Sequence, residues 1–139
     1  MKICIVGYGS IGKRHHRTLL SLFPDSSFDI IDVNTSLTVK ECQDRKYNIL
    51  VICTPSSSHL EVAAKFSKIK DLIFIEKPLD ISTKKIEKYL PLVDNKKVHV
   101  GCNLRFTEAY REFLDVSKNS KIINITSMSY LPMWRNIDH

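Results

Sequence analysis

The sequence predicts an α/β fold, a doubly wound parallel sheet, from two observations. Five short apolar runs alternate with segments whose apolar residues recur at helical spacing, which is typical of parallel strands joined by helical crossovers. The first apolar run leads into a glycine-rich turn that opens the first helical segment. An apolar fraction of 43% and a charged fraction of 26% are those of an ordinary globular protein and agree with this class.

The opening segment, Met1–Leu20, predicts a strand, a glycine turn and a helix. The strand is Ile3–Val6, and the turn follows it directly. In such a turn Gly7 permits the sharp bend, Gly9 admits a pyrophosphate close to the backbone, and Gly12 lets helix and strand pack closely. The unpaired amides at the start of a helix attract phosphates. The candidate phosphate-binding positions are Gly7, Gly9, Ser10, Ile11 and Gly12.

A second signal is the acid that ends the next apolar run, Phe28–Asp32. Asp32 follows Gly12 by 20 residues, and an acid at the tip of the second strand is placed to accept hydrogen bonds from the ribose of an adenosine. A carboxylate there repels a 2′-phosphate, so Asp32 favours NAD over NADP. The alternative is a glycine turn in an α/β protein of another class.

Three further apolar runs supply the remaining strands. They are Ile49–Cys53, Leu72–Ile75 and Val98–Gly101. Continuous apolar runs are expected where helices cover both faces of a sheet. Segment 33–48 is polar and weakly periodic, and it predicts a short or irregular crossover, because a parallel neighbour requires about a dozen connecting residues.

Three helices are predicted after the third, fourth and fifth strands. Serines at 56–58 can cap the first, and Ser82 can cap the second. The third has the cleanest amphipathic pattern of the chain. The residues predicted to face inward are Leu60, Ala63, Ala64 and Ser67 in the first, Ile86, Tyr89 and Leu90 in the second, and Phe106, Ala109, Tyr110, Phe113, Leu114 and Ser117 in the third.

Polar motifs stand at the ends of the last three predicted strands. Thr54-Pro55 follows the third, Glu76-Lys77-Pro78 the fourth and Asn103-Leu104-Arg105 the fifth. Ligands of doubly wound sheets bind beyond the carboxyl ends of the strands. We therefore expect these motifs to lie at the candidate site.

With these motifs in this order, the sequence resembles the Gfo/Idh/MocA family, the glucose-fructose oxidoreductase and inositol dehydrogenase group. The residues that carry the resemblance, which runs to about residue 135, are Gly7-x-Gly9-x-x-Gly12-x-x-His15, Thr54-Pro55 with His59, Glu76-Lys77-Pro78 and Asn103-x-Arg105-Phe106. The resemblance implies an NAD(P)-binding Rossmann domain, residues 1–119, followed by an extra strand and tail, 120–139, that begin a largely absent substrate domain. It also implies hydride transfer on a sugar or sugar-derived substrate.

The resemblance also implies roles for individual residues. Lys77 is expected beside the nicotinamide and the substrate as the catalytic residue, where an ammonium can join proton transfer at the reacting hydroxyl. Its alternative is an ordinary exposed loop lysine. The cofactor-binding residues implied besides the glycine turn and Asp32 are Thr54, Pro55, His59, Glu76, Lys77 and Asn103. The substrate contacts implied are Arg105, Tyr130, Trp134 and Arg135.

Five residues of these motifs have structural interpretations as well. His15 is expected to be a buried histidine of the first helix, and His59 a helix-start or loop-fixing residue. Asn103 and Arg105 are expected either to contact the nicotinamide end or an anionic substrate group, or to have a purely structural role in the turn. Pro78 is expected to turn the chain, through a cis bond or otherwise.

Length, charge and cysteine usage exclude several classes of protein. At 139 residues and a net charge of +6, the chain suits one domain with a substantial core. Its lysines fall singly or in pairs on predicted helix surfaces, which indicates solvated surfaces and no nucleic-acid partner. The sequence has neither a membrane-length apolar run nor a signal-peptide pattern, which predicts a cytoplasmic protein. The four cysteines lack metal-site spacing and indicate buried free thiols.

Two functions remain open at this stage. The first is the NAD(P)-binding part of an oxidoreductase, truncated relative to a family whose catalytic Asp and His lie in a part that this chain lacks. The second is a non-catalytic nucleotide-binding or dimerising module, in which the predicted strand Ile122–Leu131 pairs with another copy to form a homo-oligomer. Glu76-Lys77-Pro78 and Asn103-x-Arg105 disfavour a methyltransferase, and the sequence leaves open whether the chain is an enzyme by itself.

Overall fold

The described residues, 1–66, 68–93, 97–124 and 126 of a computed structural model, form five strands and five α-helices. The strands are β1 (Lys2–Val6), β2 (Ser27–Ile31), β3 (Tyr47–Ile52), β4 (Ile69–Ile75) and β5 (Val98–Val100). The helices are α1 (Ser10–Leu22), α2 (Val39–Cys42), α3 (His59–Ala63), α4 (Thr83–Tyr89) and α5 (Glu108–Ser117). Short 3₁₀ turns lie at Ser56–Ser58, Leu90–Leu92 and Asn103–Phe106.

The sheet is entirely parallel, with strand order β2-β1-β3-β4-β5. β1 pairs with β2 on one side and with β3 on the other, so the chain reverses its direction of travel across the sheet beside β1. Ligands of such sheets bind at this switch point, beyond the carboxyl ends of the strands. The predicted doubly wound α/β fold is confirmed.

Helices cover both faces of the sheet, and the strand sequences show why. Cys4 and Val6 pack into one apolar cluster, which also holds the buried residues Leu60 and Ala63 of α3. Ile3 and Ile5 pack into a second cluster, against which Leu19 of α1 lies. Successive residues of a strand point to opposite faces, so a strand covered on both sides reads as a continuous apolar run.

Several boundaries differ from those expected. β3 and β4 begin earlier, at Tyr47 and Ile69, and the pairing register shifts between Tyr47 and Ile49. The crossover after β2 contains a single helical turn, α2, which begins at a capping box made by Thr38 and Glu41. The predicted cap of α4 is confirmed, since the Ser82 side chain accepts from Lys85 N.

The first residues of the predicted final strand, Ile122–Leu131, do not form a strand in the part that the structure describes. Residues 122–124 have no regular structure, and the rest of Ile122–Leu131, apart from residue 126, lies outside the described residues, as do Ser67 and residues 130, 134 and 135. Pairing of two copies through this segment therefore stays a prediction.

By internal contacts the chain divides into two units, Met1–Cys102 and a second that begins at Asn103. The sheet and helices α1–α4 belong to the first. In the second, Thr107 caps α5 through its side chain, which accepts from Tyr110 N, and none of the residues of α5 is buried. The expected domain boundary at residue 119 stays a prediction. No helix among the described residues is long and apolar enough to cross a membrane.

Candidate functional site

The glycine turn between β1 and α1 has a geometry that larger residues do not tolerate. Gly7 has φ of +90°, and a Cβ there would lie 2.5 Å from the carbonyl oxygen of Cys53 at the end of β3. A Cβ on Gly12 would collide with the carbonyl oxygen of Gly7. Both positions therefore require glycine, one for its backbone conformation and one for the contact of helix with turn.

The N-terminus of α1 is left open by the same turn. Gly9 is the N-cap residue and makes no side-chain hydrogen bond, and no atom lies within 4 Å of the position that its Cβ would take. The first amides of a helix have no partners inside the helix. Here they face open space at the positive end of a 13-residue helix, which is the environment that a phosphate requires.

Asp32 directly follows β2 and is oriented by the glycine turn. Its Oδ2 accepts a hydrogen bond of 2.6 Å from the backbone N–H of Tyr8, and its own N–H donates to Thr35 Oγ1 at 2.8 Å. The bond from Tyr8 is the main reason that the pKa of Asp32 lies below its ordinary value. The carboxyl group is therefore ionised and can accept from hydroxyl groups.

These residues border one cleft of about 830 Å³ at the carboxyl ends of β1, β2 and β3. That volume is within the range of small-molecule sites. Seven of the residues expected from the sequence line it: Gly7, Gly9, Ser10, Ile11, Asp32, Thr54 and Pro55. Gly12, His59, Glu76 and Lys77 do not line it.

Part of the lining was missed by sequence reasoning. Leu37, Thr38 and Val39 come from the crossover around α2, and Val62 comes from α3. With Pro55 they give one end of the cleft an apolar wall, of the kind that a flat aromatic base packs against. The capping box Thr38-x-x-Glu41 was the available signal, because it starts a helical turn beside Asp32.

The segment after β4 holds Lys77, which is exposed. None of the described residues bonds its ammonium group. Its backbone N–H donates to Glu76 Oε2 at 3.2 Å, and the Lys77–Pro78 peptide is cis. The Lys77 side chain is therefore open to solvent.

Two histidines contact the residues on either side of Lys77. The Nε2–H of His15 donates to Glu76 Oε1 at 2.7 Å, and the His15 ring lies edge-on to Phe74. His15 was expected to be buried, but its side chain is 25% exposed, because its ring reaches the partly exposed Glu76 carboxylate just beyond the end of β4. His59 is buried, with Nδ1 at 2.7 Å from Pro78 O and Nε2 at 2.8 Å from Thr54 O. Its loop-fixing interpretation is confirmed.

The remaining candidate residues lie elsewhere. Asn103 and Arg105 are exposed in the 3₁₀ turn Asn103–Phe106, which belongs to the second unit. Tyr130, Trp134 and Arg135 lie outside the described residues. Throughout the described ranges, no three His, Cys, Asp or Glu side chains are grouped closely enough to hold a metal ion.

Solved structures of dehydrogenases share this fold. The myo-inositol 2-dehydrogenase from Lactobacillus plantarum matches 88% of this chain and 43% of its own, at 18% identity and a TM-score of 0.69. The WlbA dehydrogenase from Bordetella pertussis, in complex with NADH and UDP-GlcNAcA, matches 85% of this chain and 42% of its own, at 18% identity and a TM-score of 0.68. At these identities the likeness establishes the fold alone.

The curated proteins that the sequence matches are also dehydrogenases. The chain is 26% identical to the inositol 2-dehydrogenase of Rhizobium meliloti (strain 1021), with 97% of this chain and 47% of the relative covered. It is 24% identical to the myo-inositol 2-dehydrogenase of Thermotoga maritima, with 95% and 46% covered. The chain therefore spans about half the length of these curated relatives.

The family itself is established by a model match over most of the sheet. Residues 27–104, more than half of the 139, match the GFO_IDH_MocA model, described as an oxidoreductase family with an NAD-binding Rossmann fold. The matched range runs from β2 through the strand-end motifs of β3 and β4 and ends within the motif that follows β5. This chain belongs to the Gfo/Idh/MocA oxidoreductase family and contains its NAD-binding Rossmann fold.

Proposed function

We propose that the cleft binds NAD(H), with the pyrophosphate against the N-terminus of α1, the adenosine ribose on Asp32, and the adenine against Leu37, Val39 and Val62. The observation that carries this proposal is the single cleft that joins the open helix N-terminus to the ionised Asp32. Family membership supports a nicotinamide dinucleotide as the ligand.

We propose NAD and not NADP as the preferred cofactor. Asp32 Oδ2 is already held by the Tyr8 amide, and its neighbour Oδ1 receives a long 3.4 Å contact from Asn34 N. A charged acceptor with free capacity suits ribose hydroxyls and repels a phosphate. The ribose of NADP carries that phosphate at the 2′ position.

The test is a titration of the purified chain with NADH and NADPH, followed by nicotinamide fluorescence. The parent is expected to bind NADH at least roughly tenfold more tightly than NADPH, because the charge repulsion adds to the lost hydrogen bond. In D32A we expect the preference for NADH over NADPH to be lost. D25A, which replaces another aspartate after α1 that does not line the cleft, keeps it. Equal affinities in the parent would refute the cofactor assignment.

We further propose that the reaction is hydride transfer between this cofactor and a hydroxyl-bearing carbon of a cyclic polyol or sugar-derived substrate. The curated relatives are inositol dehydrogenases, which supports that substrate class. In this proposal Lys77 serves as the group that exchanges a proton with the reacting hydroxyl.

The non-catalytic module stays the alternative, because Lys77 is exposed and the chain spans about half the length of its curated relatives. A dehydrogenase assay with NAD⁺ and myo-inositol separates the two. NADH binding without turnover supports a cofactor-binding module. Turnover that is lost in K77M, with NADH affinity unchanged, supports the catalytic assignment.

A further inference from the structure

Both chain neighbours of Lys77 are held by histidines from different helices. On one side the His15 ring of α1 donates to Glu76 Oε1 at 2.7 Å. On the other side His59 of α3 has Nδ1 at 2.7 Å from the carbonyl oxygen of Pro78. Lys77 itself makes no side-chain bond to the described residues, so these two contacts fix where its side chain starts.

We propose that His15 and His59 are positioning residues for Lys77, and that they tie it to the two walls of the cofactor cleft. The inference rests on the proposed function, because it assumes that Lys77 works beside a bound nicotinamide. His15 links the Lys77 segment to the helix whose N-terminus borders the cleft, and His59 links it to the turn Thr54–Pro55.

The packing around each histidine restricts the movement of its ring. His59 is only 1% exposed, so loss of a ring nitrogen would leave a carbonyl oxygen without its partner in a buried place. The His15 ring is fixed by its edge-on contact with Phe74, at 5.0 Å between ring centres. Glu76 Oε2 accepts from the backbone N–H of Lys77, so the His15 contact reaches the Lys77 backbone through one carboxylate.

Substitution can distinguish the contributions of the two ring nitrogens of His59. Both face carbonyl oxygens, which only accept hydrogen bonds. An asparagine amide approximates the Nδ1 position and keeps the bond to Pro78, whereas a glutamine amide approximates Nε2 and keeps the bond to Thr54. For His15, which bonds through Nε2, glutamine is the conservative variant and leucine the disruptive one.

The experiment compares H59N, H59Q, H15Q and H15L in the full chain by NMR, first without cofactor. The readouts are hydrogen exchange of the Lys77 amide and the methyl resonance of ¹³C-methylated Lys77, assigned with K77R. We expect exchange to be roughly tenfold faster in H59Q and H15L, because each loses the contact next to Lys77. H59N and H15Q stay close to the parent.

His16 provides the matched control. It lies on the same helix, bonds Tyr8 Oη at 2.6 Å and packs on Phe28, and it makes no contact with Glu76 or Pro78. H16N should leave Lys77 exchange unchanged. Equal effects of H59N and H59Q, or no effect of H15L, would overturn the proposal. Circular dichroism identifies variants that fail to fold, and His15, which is only partly buried, keeps the test available if both His59 variants fail.

NADH addition then separates this inference from the proposed function. A parent chain that does not bind NADH refutes the proposed function, while the cofactor-free spectra still decide whether the histidines hold Lys77. If NADH binds, the Lys77 methyl resonance should shift in the parent and in H15Q, and the shift should be lost in H15L although the affinity stays within roughly threefold. A Lys77 resonance that NADH does not move in the parent would overturn the positioning role.

Discussion

Individual side chains at this site are set by the backbone around them more than by each other. The Asp32 carboxylate is held by the Tyr8 amide, the Glu76 carboxylate receives the Lys77 amide, and His59 faces two carbonyl oxygens. Backbone groups move only when the fold moves. Such contacts therefore keep a site in shape before a ligand arrives, which lowers the entropy lost on binding.

The carboxyl group of Asp32 leads to a prediction about pH. Because the Tyr8 hydrogen bond lowers its pKa below 3.8, the carboxylate form persists as the pH falls and is lost only below that value. We expect the ratio of NAD⁺ affinities between the parent and D32N to be constant from pH 8 to about pH 5. Isothermal titration calorimetry measures it. A ratio that declines between pH 7 and pH 5 would contradict the lowered pKa.

The cysteines lead to a prediction about thiol reactivity. Cys102 is exposed, Cys4 and Cys42 are buried, and burial, followed by the charge of Glu76, raises the pKa of Cys53 to about 12. Only the thiolate reacts readily with disulfide reagents. In the folded chain at pH 8, we expect one fast-reacting thiol with dithiobis-nitrobenzoate, which C102S removes. A fast phase that survives in C102S and disappears in C53S would contradict this assignment.

At the scale of elements, one carboxylate of β2 links the first three strands. Asp29 of β2 accepts from Tyr47 of β3 at 2.6 Å and from Arg45 at 2.9 Å, and it pairs with Lys2 of β1 at 3.2 Å. Burial opposes the charge of Asp29, but these three donors outweigh it and lower its pKa. The pairing of β1 with both neighbours is thus supported from a side chain as well as the backbone.

We therefore expect D29N to lower the free energy of unfolding by about 1–3 kcal/mol at pH 7, since the variant keeps the shape and loses charge-assisted bonds. Because the folded pKa is depressed, this stabilisation is present above 3.8 and is lost as the pH falls through the lower folded value. Urea denaturation of the parent and D29N at pH 7 and pH 3 measures it. A difference as large at pH 3 as at pH 7 would contradict the electrostatic origin.

In the turn between β1 and α1, we expect Gly12 to matter for stability and Gly9 for cofactor binding. At Gly12 a Cβ meets the Gly7 carbonyl, so G12A should cost roughly 1–3 kcal/mol of stability. At Gly9 nothing lies within 4 Å of the Cβ position, so G9A should cost less than about 1 kcal/mol. G9A should nevertheless weaken NADH binding by roughly tenfold or more, because the methyl group would occupy the position proposed for the phosphate. Thermal unfolding and NADH titration of both variants test this. The reverse order of effects would contradict the turn geometry.

At the scale of the molecule, the sequence predicted the sheet well because its strands are buried on both faces. Continuous apolar runs such as Ile49–Cys53 have few other interpretations in an α/β chain. The early starts of β3 and β4 were missed, because Asn48 and Lys70 interrupt the apolar pattern where the register shifts. Polar residues are tolerated there because Lys70 is exposed and Asn48 is partly exposed at the beginnings of these strands.

The sequence predicted only part of the lining of the cleft. The side proposed to bind phosphate and ribose depends on glycine spacing and one acid, which are visible in the sequence as Gly7, Gly9 and Asp32. Its apolar side comes from Leu37, which precedes α2, and from Val62 in α3, and these two helices are too short for periodicity to reveal which residues face the cleft. Such contacts depend on where the crossover packs, which is a tertiary property.

The division of the chain at Cys102 allows the site to be tested as a self-sufficient unit. All residues that line the cleft, together with His15, His59 and Lys77, lie in Met1–Cys102. We expect a chain ending at residue 102 to unfold cooperatively and to bind NADH within roughly threefold of the full chain. A chain ending at residue 119 is the matched comparison. If 1–119 folds and binds whereas 1–102 aggregates, α5 is required by the Rossmann domain, and the boundary implied by the family resemblance replaces the one given by the contacts.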